Sequence, residues 1–425
     1  MTEQMNVPKL RFGEFTTGNI DTTLEALTKK KISYGIVQAG PHIPDGMPYI
    51  KSTNLNTELC LDNLERTSDE IAKSYQRSEV SPEDIVFSLR GNIGLTRIVP
   101  ASIPVANLTQ GTARLSIKDS FSNVYVNYCL STRKVYKRVN SVSKGSTFKE
   151  ISLADLRNVK ITHSSDLKEQ QKIASFLSKV DEKIGLLSDK KDKLIEYKCG
   201  VMQQLFNGKW HEQDGQLTFV PPTLRFKADD GSEFPDWEAA RLREHAVFKG
   251  GSGFKETYQG KTFGDLPFIK VSDMNNVGNE KFIVNSNNYI STQEAQALKV
   301  NIFDSGAIVF AKVGAALLLN RRRILSQDTI IDNNMMAAVV KPNTNNLFLY
   351  QYLLTVDFGK FVQEGAVPSI NQGDMNAIQV TFPCLKEQNK IANFLSAIDK
   401  KIDLANSELD KAKEWKKGLL QQMFV

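Results

Sequence analysis

The chain has 425 residues, of which 41% are hydrophobic and 24% are charged, and its formal net charge at pH 7 is +6. That length suits two core-bearing domains, and the composition is ordinary for a soluble protein. We expect no signal peptide and no membrane span, because the most apolar run, residues 307–319, is short and interrupted by a lysine. Four cysteines without paired spacing predict reduced thiols and a cytoplasmic location. The modest basic charge permits a polyanionic partner without proving one.

The first block, residues 1–165, is predicted to be a globular domain whose short motifs recur later in the chain. Leu10-Arg11-Phe12 returns as Leu224-Arg225-Phe226, residues 46–51 return as 265–270, and residues 84–90 return as 306–312. Basic residues near predicted strand ends and loops can contact phosphate, although each could equally be a solvated surface charge. The candidates in this block are Lys51, Arg90, Arg97 and Arg114.

Residues 166–208 are predicted to form the first long helix. Apolar residues recur there on an alternating spacing of four and three, which is typical of a coiled coil. The predicted seam consists of Ile173, Leu177, Val180, Ile184, Leu187 and Leu194, with Lys191 and Lys198 occupying further seam positions. Asp166 and Glu169 resemble a capping box at the start of this helix.

The second block, residues 209–384, is predicted to be another globular domain built on the same skeleton as the first. Its candidates for phosphate contact are Lys270, Lys312, Arg321, Arg322 and Arg323. Residues 248–253 are glycine-rich but match neither a dinucleotide fingerprint nor a methyl-donor turn, and residues 260–262 lack the upstream glycine of a phosphate loop. The four histidines are too far apart in sequence to suggest a metal site. We therefore predict no catalytic, cofactor or metal site in this chain.

Residues 385–425 are predicted to form a second long helix that repeats the first. Residues 167–206 and 385–424 align without a gap over 40 positions, and 22 of these are identical. The second seam consists of Ile391, Leu395, Ile398, Ile402 and Leu409. A helix with one apolar seam needs a partner, and the sequence predicts that the two helices pair antiparallel. The alternatives are pairing with another molecule or packing on the helix's own domain. In the second helix, Glu387 is expected to serve the helix dipole.

Some apolar residues lie off the seam at matching places in the two copies. They are Leu186 and Leu404, and Phe206 and Phe424. One interpretation is contact with the chain's own globular blocks. The other is a docking surface for partner proteins, present twice because the repeat is twofold.

These residues resemble the type I restriction–modification specificity subunits over essentially the full length of the chain. The most specific part is the Leu-Lys-Glu-Gln-x-Lys-Ile-Ala-x-Phe-Leu-Ser opening of both long helices, and residues 46–51, 81–94 and 151–161 also fit the family's recurrent frame. The resemblance implies an α+β fold: two mixed α/β target-recognition domains separated by a long antiparallel two-helix coiled coil, with pseudo-twofold symmetry.

The resemblance also implies a function in defence against foreign DNA. A specificity subunit is not an enzyme: it binds double-stranded DNA and reads two half-sites separated by an unread spacer. Methyltransferase subunits dock on it, restriction subunits join further out, and the S-adenosylmethionine, ATP and Mg sites belong to those partners. The residues reach the same expectation independently, since two related but different blocks held apart by helices would read different base sequences. The alternatives are a free-standing DNA adenine methyltransferase and a coiled-coil scaffold without DNA binding.

Overall fold

Residues 7–145, 149–213, 216–362 and 367–424 are described by the structure, a computed structural model, and they belong to two units. Unit 1 comprises residues 1–188 and 406–425, and unit 2 comprises residues 189–405. The boundaries cut through both long helices, so each unit contains one globular block and one half of each helix. The four predicted segments follow one another along the sequence. In the folded chain, each globular block packs with parts of both long helices.

The described residues 7–188 of unit 1 form strands and helices, and the last helix continues into unit 2. The strands are β1 (Asn19–Thr23), β2 (Ser33–Tyr34), β3 (Met47–Ile50), β4 (Glu65–Thr67), β5 (Ile85–Ser88), β6 (Thr96–Ile98), β7 (Asn107–Leu108), β8 (Thr112–Leu115) and β9 (Lys160–Ser164). The helices are α1 (Leu24–Leu27), α2 (Asp69–Ser74), α3 (Asn123–Leu130), α4 (Arg133–Val142), α5 (Leu153–Asn158) and α6 (Leu167–Leu205).

Strand β5 lies in the middle of unit 1 and separates two hydrophobic cores. It pairs antiparallel with β6 and β8 in a four-stranded sheet of order β2-β8-β5-β6. Successive side chains of a strand point to opposite faces: Ile85 and Phe87 enter the core shared with α3 and α6, while Val86 enters a second core. Both faces are buried, which explains why the first three residues of the strand are apolar. A three-stranded sheet, β4-β3-β7, contributes to the second core.

Unit 2 repeats this plan with additional strands. Its strands are β10 (Lys209–Gln213), β11 (Gln216–Val220), β12 (Glu238–Arg241), β13 (Ala246–Gly250), β14 (Leu266–Ile269), β15 (Phe282–Ile283), β16 (Tyr289–Ile290), β17 (Ile302–Phe303), β18 (Ile308–Ala311), β19 (Arg322–Leu325), β20 (Thr329–Ile331), β21 (Met335–Val340) and β22 (Gln379–Phe382). Its helices are α7 (Thr292–Leu298), α8 (Ala315–Leu318), α9 (Asn346–Thr355), α10 (Gln372–Ala377) and α11 (Leu385–Met423), the last of which continues into unit 1.

Strand β18 is the counterpart of β5. It lies between β19 and β21 in a five-stranded sheet of order β13-β21-β18-β19-β15. Ile308 and Phe310 enter the core shared with α9 and α11, and Val309 enters the opposite core. The parallel pair β3-β7 likewise has its counterpart in β14-β20, with Ile50 opposite Leu108 and Ile269 opposite Ile331. The predicted internal repeat is therefore confirmed in the central strands of the two units.

The two long helices pair antiparallel within each unit, as the sequence predicts. In unit 1 the first half of α6 shares a core with the last turns of α11, and in unit 2 the second half of α6 shares a core with the first turns of α11. The buried members are Ile173, Leu177, Val180, Leu419 and Met423 in unit 1, and Val201, Leu205, Ile391, Leu395 and Ile398 in unit 2. These same cores contain side chains of the globular blocks, so each helix half packs on its partner helix and on a block.

Each helix start is anchored to its block by a buried ion pair. Arg11 binds both carboxylate oxygens of Glu169, at 2.6 and 2.8 Å, and Arg225 binds both of Glu387, at 3.2 and 2.9 Å. The expected capping box is wrong in its Glu169 half, because this carboxylate is 1% exposed and binds Arg11, while the Asp166 backbone N–H donates to Ser164. Glu387 lies in the first turn of α11, where its carboxylate is 0% exposed and binds Arg225. At the start of α6, Asp166 instead accepts the Lys168 backbone N–H at 2.8 Å.

The glutamine that follows each glutamate ties the long helix to a helix of the block. The Oε1 of Gln170 accepts the backbone N–H of Ser122, the N-cap of α3, at 2.9 Å. The Oε1 of Gln388 accepts the backbone N–H of Asn345, the N-cap of α9, at 2.9 Å. Both side chains are buried and also donate to a backbone carbonyl, at 2.8 and 2.9 Å. The Leu-Lys-Glu-Gln motif therefore joins helix to block in each copy. We call the Arg–Glu pair and this glutamine the helix anchor.

Candidate nucleic-acid interface

Five of the interface candidates lie at or contact a short 3-10 turn that follows β3 in unit 1 and β14 in unit 2. These turns, Ser52–Asn56 and Val271–Asn275, are closed in the same way. The Lys51 backbone N–H donates to Asn54 Oδ1 at 2.8 Å, and the Lys270 N–H donates to Asp273 Oδ2 at 2.7 Å. The turns thus hold two predicted cations, Lys51 and Lys270, at matched N-cap positions.

Arg97 and Arg323 brace these turns from the neighbouring sheet. They occupy the same strand position, since Arg97 lies opposite Val86 of β5 and Arg323 opposite Val309 of β18. Arg97 donates to the carbonyl of Thr57 at 3.1 Å, and Arg323 donates to that of Met274 at 3.1 Å. Each also donates to the carbonyl of the residue before it, at 2.9 and 2.8 Å. Their observed contacts therefore fix the turn, and contact with DNA stays a prediction for both.

For two arginines, Arg322 and Arg114, the prediction of DNA contact is wrong because their side chains are buried. Arg322 is 0% exposed and donates to the carbonyls of Asn320 and Val356, and its guanidinium lies 3.8 Å from the centroid of the Phe358 ring. Burial lowers the pKa of Arg322 to about 10. In strand β19 alternate side chains face inward, so the middle arginine of the run enters the core while Arg321 stays exposed.

The prediction that Arg114 contacts DNA is also wrong. Its side chain in β8 is 7% exposed and donates to the carbonyl of Glu79 at 2.7 Å, which secures the neighbouring loop. Burial lowers the pKa of Arg114. A guanidinium held in this way serves the domain and is not presented to a phosphate.

The remaining candidates are accessible and form what we call the turn edge: Lys51 and Arg90 in unit 1, and Lys270, Lys312 and Arg321 in unit 2. Their surface ion pairs, such as Arg90 with Glu150 at 2.9 Å and Lys51 with Glu65 at 2.5 Å, involve side chains 38–52% exposed. Exposed pairs of this kind contribute little to stability and exchange readily for other anions. The turn edge can therefore supply cations to a phosphate backbone.

Amide side chains lie beside these cations in both units. In unit 1, Asn92 donates to Asn56 at 2.8 Å. In unit 2, Arg321 donates to Asn275, which is the matched residue of the other turn, and the Lys270 ammonium donates to Gln259. Arginine, asparagine and glutamine are among the side chains that read base edges, and lysine and arginine also contact phosphate. The same frame thus presents different polar groups in the two units.

The glycine-rich segment beside the turn edge of unit 2 has a structural explanation. A side chain on Gly251 would begin 2.0 Å from the Asp332 carbonyl oxygen, and one on Gly250 would begin 3.2 Å from the Lys312 ammonium. At Gly251, directly after β13, only glycine allows the backbone to approach the Asp332 carbonyl this closely. Since backbone and lysine fill the space, the segment is not shaped as a phosphate-binding loop.

The predicted seam residues are buried or half-buried within their units. Those under 9% exposed are Ile173, Leu177, Val180, Ile391, Leu395, Ile398 and Leu409, and those of intermediate exposure are Ile184, Leu187, Leu194 and Ile402. Leu186 and Leu404 are 63% and 59% exposed, so they remain accessible candidates for partner docking.

The two phenylalanines predicted as docking residues instead pack on the chain's own blocks. Phe206 lies 5.8 Å from Phe348 and 5.7 Å from Tyr352 of α9, measured between ring centroids. Phe424 lies 5.3 Å from Tyr125 of α3 and is 9% exposed. That part of the docking prediction is wrong, because aromatic rings at the helix ends complete the cores.

Sequence reasoning missed an ion pair that recurs across the seam. Asp181 pairs with Lys416 at 2.5 Å in unit 1, and the repeat-equivalent Asp399 pairs with Lys198 at 2.7 Å in unit 2. From the sequence alone, Lys198 is only a charged residue at a seam position. The signal was present, since both the aspartate and the lysine are identical in the two helices. In unit 2 a second lysine, Lys281, also binds Asp399 at 2.7 Å.

Within the described ranges, no three histidine, cysteine, aspartate or glutamate side chains come together as a possible metal site. His163 and His245 are buried, and burial lowers the pKa of both. Among the described helices, none has the length and apolarity that crossing a membrane requires.

Comparison with known proteins agrees with this repeated architecture. The family model for the type I restriction modification DNA specificity domain matches the chain twice, at residues 16–196 and 235–414. The chain is 23% identical over 389 residues to the type I restriction enzyme MjaVIII specificity subunit of Methanocaldococcus jannaschii, covering 89% of this chain and 85% of that one. It is 32% identical over 148 residues to the EcoBI specificity subunit of Escherichia coli, covering 34% of this chain and 31% of that one.

Solved structures show the same fold. The type I restriction-modification S subunit from M. genitalium superimposes with a TM-score of 0.57 at 15% identity, covering 99% of both chains. A chain from a structure addressing complex assembly and conformational transition of the type I R-M system gives a TM-score of 0.58 at 11% identity, covering 97% of this chain and 98% of that one.

The two family matches define a specificity protein of the restriction–modification class, and they span most of the chain. The chain therefore belongs to the type I restriction–modification DNA specificity family. Members of this family provide sequence specificity and are not themselves enzymes, so the expected non-catalytic role agrees with the family.

Proposed function

We propose that this chain is the sequence-specific DNA-binding subunit of a type I restriction–modification complex, and that its two units read different half-sites separated by unread bases. The observation that carries the proposal is that the two units share one backbone arrangement around the turn but expose different side chains there. Both units have the same turn and the same arginine brace, whereas the polar groups presented beside the turn differ. Two readers built on one plan with different contacts would recognise different sequences.

Charge at the turn edge supports double-stranded DNA as the partner. Lys51 and Lys270 occupy matched positions, so a shared task such as phosphate contact suits them better than recognition of a particular base. The strands also place their cations at neighbouring rather than equal positions: Lys312 matches Leu89, since the Leu89 carbonyl accepts the Ile151 N–H and the Lys312 carbonyl accepts the Ile370 N–H. Arg90 therefore matches Val313. Arginine can bind guanine through two hydrogen bonds, whereas lysine acts as a point charge. This difference in type and position would contribute to the difference between the half-sites.

The proposal places the chemistry on partner subunits. Methyltransferase subunits would carry S-adenosylmethionine, and restriction subunits would carry ATP and Mg, since the sequence contains no motif for these groups. Leu186 and Leu404 are exposed apolar residues at matched positions of the helix repeat, and they would form part of the methyltransferase docking surface. The reduced cysteines and the partners would place the complex in the cytoplasm.

The test is DNA binding by the chain in complex with its co-expressed methyltransferase subunits, measured against salt concentration. For Lys270→Ala we expect weaker binding to all duplexes and a salt slope smaller by about 1, the signature of one lost phosphate contact. The matched control is Lys341→Ala, since Lys341 follows the end of β21 that lies away from Lys312. Equal salt slopes for both variants would contradict a DNA role of the turn edge. Binding without sequence preference would contradict the proposed reading of two half-sites.

A further inference from the structure

The residue directly after the C-cap of each turn is exposed in both units. The turns end at matched C-caps, where the Thr57 N–H donates to the Asn54 carbonyl and the Asn276 N–H donates to the Asp273 carbonyl. The next residues are Glu58, which is exposed, and Val277, which is 91% exposed. The same point of the frame thus carries a carboxylate in one unit and an apolar side chain in the other.

Hydrogen bonds fix the backbone on the C-terminal side of Val277. Its carbonyl accepts the Asn285 side-chain amide at 3.0 Å, and the N–H of the next residue, Gly278, donates to Glu280 at 3.2 Å. Gly278 has a φ of +90°, a conformation in which glycine is favoured and which turns the chain back after Val277. An isolated exposed valine is unremarkable in a surface loop, but this one stands on a backbone with defined hydrogen bonds.

A buried asparagine organises the loop beneath Val277. Asn279 is 0% exposed, and its side-chain amide donates to the carbonyls of Asp273 and Asn285 at 2.8 and 2.9 Å. Its side-chain oxygen accepts the backbone N–H groups of Val284 and Asn285 at 2.9 and 3.2 Å. The loop is therefore preorganised, which lowers the conformational entropy lost when its tip is bound.

In unit 1 the position of Glu58 is fixed by its neighbours. The carbonyl of the preceding residue, Thr57, accepts a hydrogen bond from Arg97 at 3.1 Å. The following residue, Leu59, belongs to the second core and is only 8% exposed. Glu58 is thus an exposed side chain between two anchored residues. Both positions adjoin the turn edge: Lys51 begins the turn before Glu58, and Arg321 binds Asn275 two residues before Val277.

We propose that Glu58 and Val277 are base-reading positions, one in each half-site. The inference rests on the proposed DNA-binding function and adds the chemistry of two contacts. In the major groove a carboxylate accepts a hydrogen bond from the N4 amino group of cytosine, and an apolar side chain contacts the 5-methyl group of thymine. Glu58 therefore selects a cytosine in the half-site of unit 1, and Val277 selects a thymine in the half-site of unit 2.

The experiment selects bound sequences from a randomised duplex library, using the complex with its methyltransferase subunits. Wild type is compared with Glu58→Gln, Val277→Asn and Val277→Ala. Glutamine and asparagine pair with adenine, so each polar variant should move one base pair of its own half-site from the wild-type base to adenine by about fivefold or more. Val277→Ala should weaken the thymine preference without creating a new one. The other half-site should stay unchanged in every case.

The matched control is Val247→Asn, the same substitution at a valine that is 40% exposed in β13 and pairs with Val339, far along β21 from Lys312. It should leave both half-sites unchanged. If wild type selects a bipartite sequence and Glu58→Gln and Val277→Asn select the same sequence, the base-reading assignment is wrong while the proposed function stands. If wild type selects no sequence, the proposed function fails and the assignment fails with it. Thermal unfolding of each variant confirms that the loop substitutions leave the fold intact.

Discussion

Units 1 and 2 are alike where they hold the long helices and unlike where they present side chains at the turn edge. The helix anchors are the same, with Arg11 and Arg225 binding repeat-equivalent glutamates at 2.6–3.2 Å. At and beside the turn edge, by contrast, Lys312 corresponds to Leu89, and Val277 corresponds to Glu58. Contacts between buried groups depend on both partners, so changing one alone is costly, whereas exposed loop residues change at little cost to stability. One frame can therefore present two different sets of exposed side chains.

The largest effect on stability is expected at the helix anchor. Glu169→Ala and Glu387→Ala each leave a largely buried arginine without its carboxylate, and loss of one partner from such a pair costs about 3–5 kcal/mol. Both variants should lower the free energy of unfolding by similar amounts, measured by urea denaturation. Similar losses would show that the two units use the anchor in the same way.

Glu182→Ala is the control for the anchor, because Glu182 belongs to the same helix but lies on its exposed face. Its expected change is within about 0.5 kcal/mol. The account of the anchor is contradicted if Glu169→Ala and Glu387→Ala are as mild as this control, or if only one of them is destabilising.

A smaller effect is expected from the seam ion pairs, and here the units should differ. Asp399 binds Lys198 and Lys281 and is 14% exposed, whereas Asp181 binds Lys416 and is 39% exposed. We expect Asp399→Asn to cost about 2 kcal/mol, since hydrogen bonds to charged groups contribute about 1.5–3 kcal/mol. For Asp181→Asn we expect about 1 kcal/mol or less. Equal losses would show that the second lysine adds nothing.

The pH dependence gives an independent check on Asp399. Burial alone would raise the pKa of Asp399, but hydrogen bonds from the two lysines outweigh burial and hold this pKa below its usual 3.8. A lowered pKa means that the stabilisation is present above pH 3.8 and is lost as the pH falls through the folded-state pKa. The difference in unfolding free energy between wild type and Asp399→Asn should therefore shrink in acid. A difference that stays constant or grows below this pH would contradict the sign of the shift.

Features encoded by local patterns could be predicted from the sequence, whereas pairings between distant residues could not. Both long helices follow from the apolar spacing and the repeat, which are properties of neighbouring residues. The Arg11–Glu169 pair joins residues 158 positions apart, and the repeated Leu-Arg-Phe motif showed that something was shared but not what it contacted. Likewise the arginine run of residues 321–323 predicted charge at the surface, and only strand alternation in the folded chain places Arg322 in the core.

The smallest effect on stability is expected at the matched exposed leucines. Leu186→Asp together with Leu404→Asp should change the unfolding free energy by less than about 1 kcal/mol, since both side chains are exposed. Co-purification with methyltransferase subunits should nevertheless fall, because a carboxylate buried without a partner at the contact would be costly. Ile195→Asp is the control: Ile195 is 48% exposed, and its repeat-equivalent is Lys413, so the second copy already has a charge there. Undiminished co-purification of the double variant would remove these leucines from the docking surface.

The most direct test of the central claim, two independent readers on one frame, is exchange of a single block. Residues 1–160 are replaced by the equivalent block of a relative that retains the arginine of the helix anchor, and methylated bases are mapped in cells that express the chimera with its partner subunits. The account predicts that only one half of the recognised sequence changes and that the half read by unit 2 is identical to wild type, since distant and independent sites act additively. A change in both halves would contradict it.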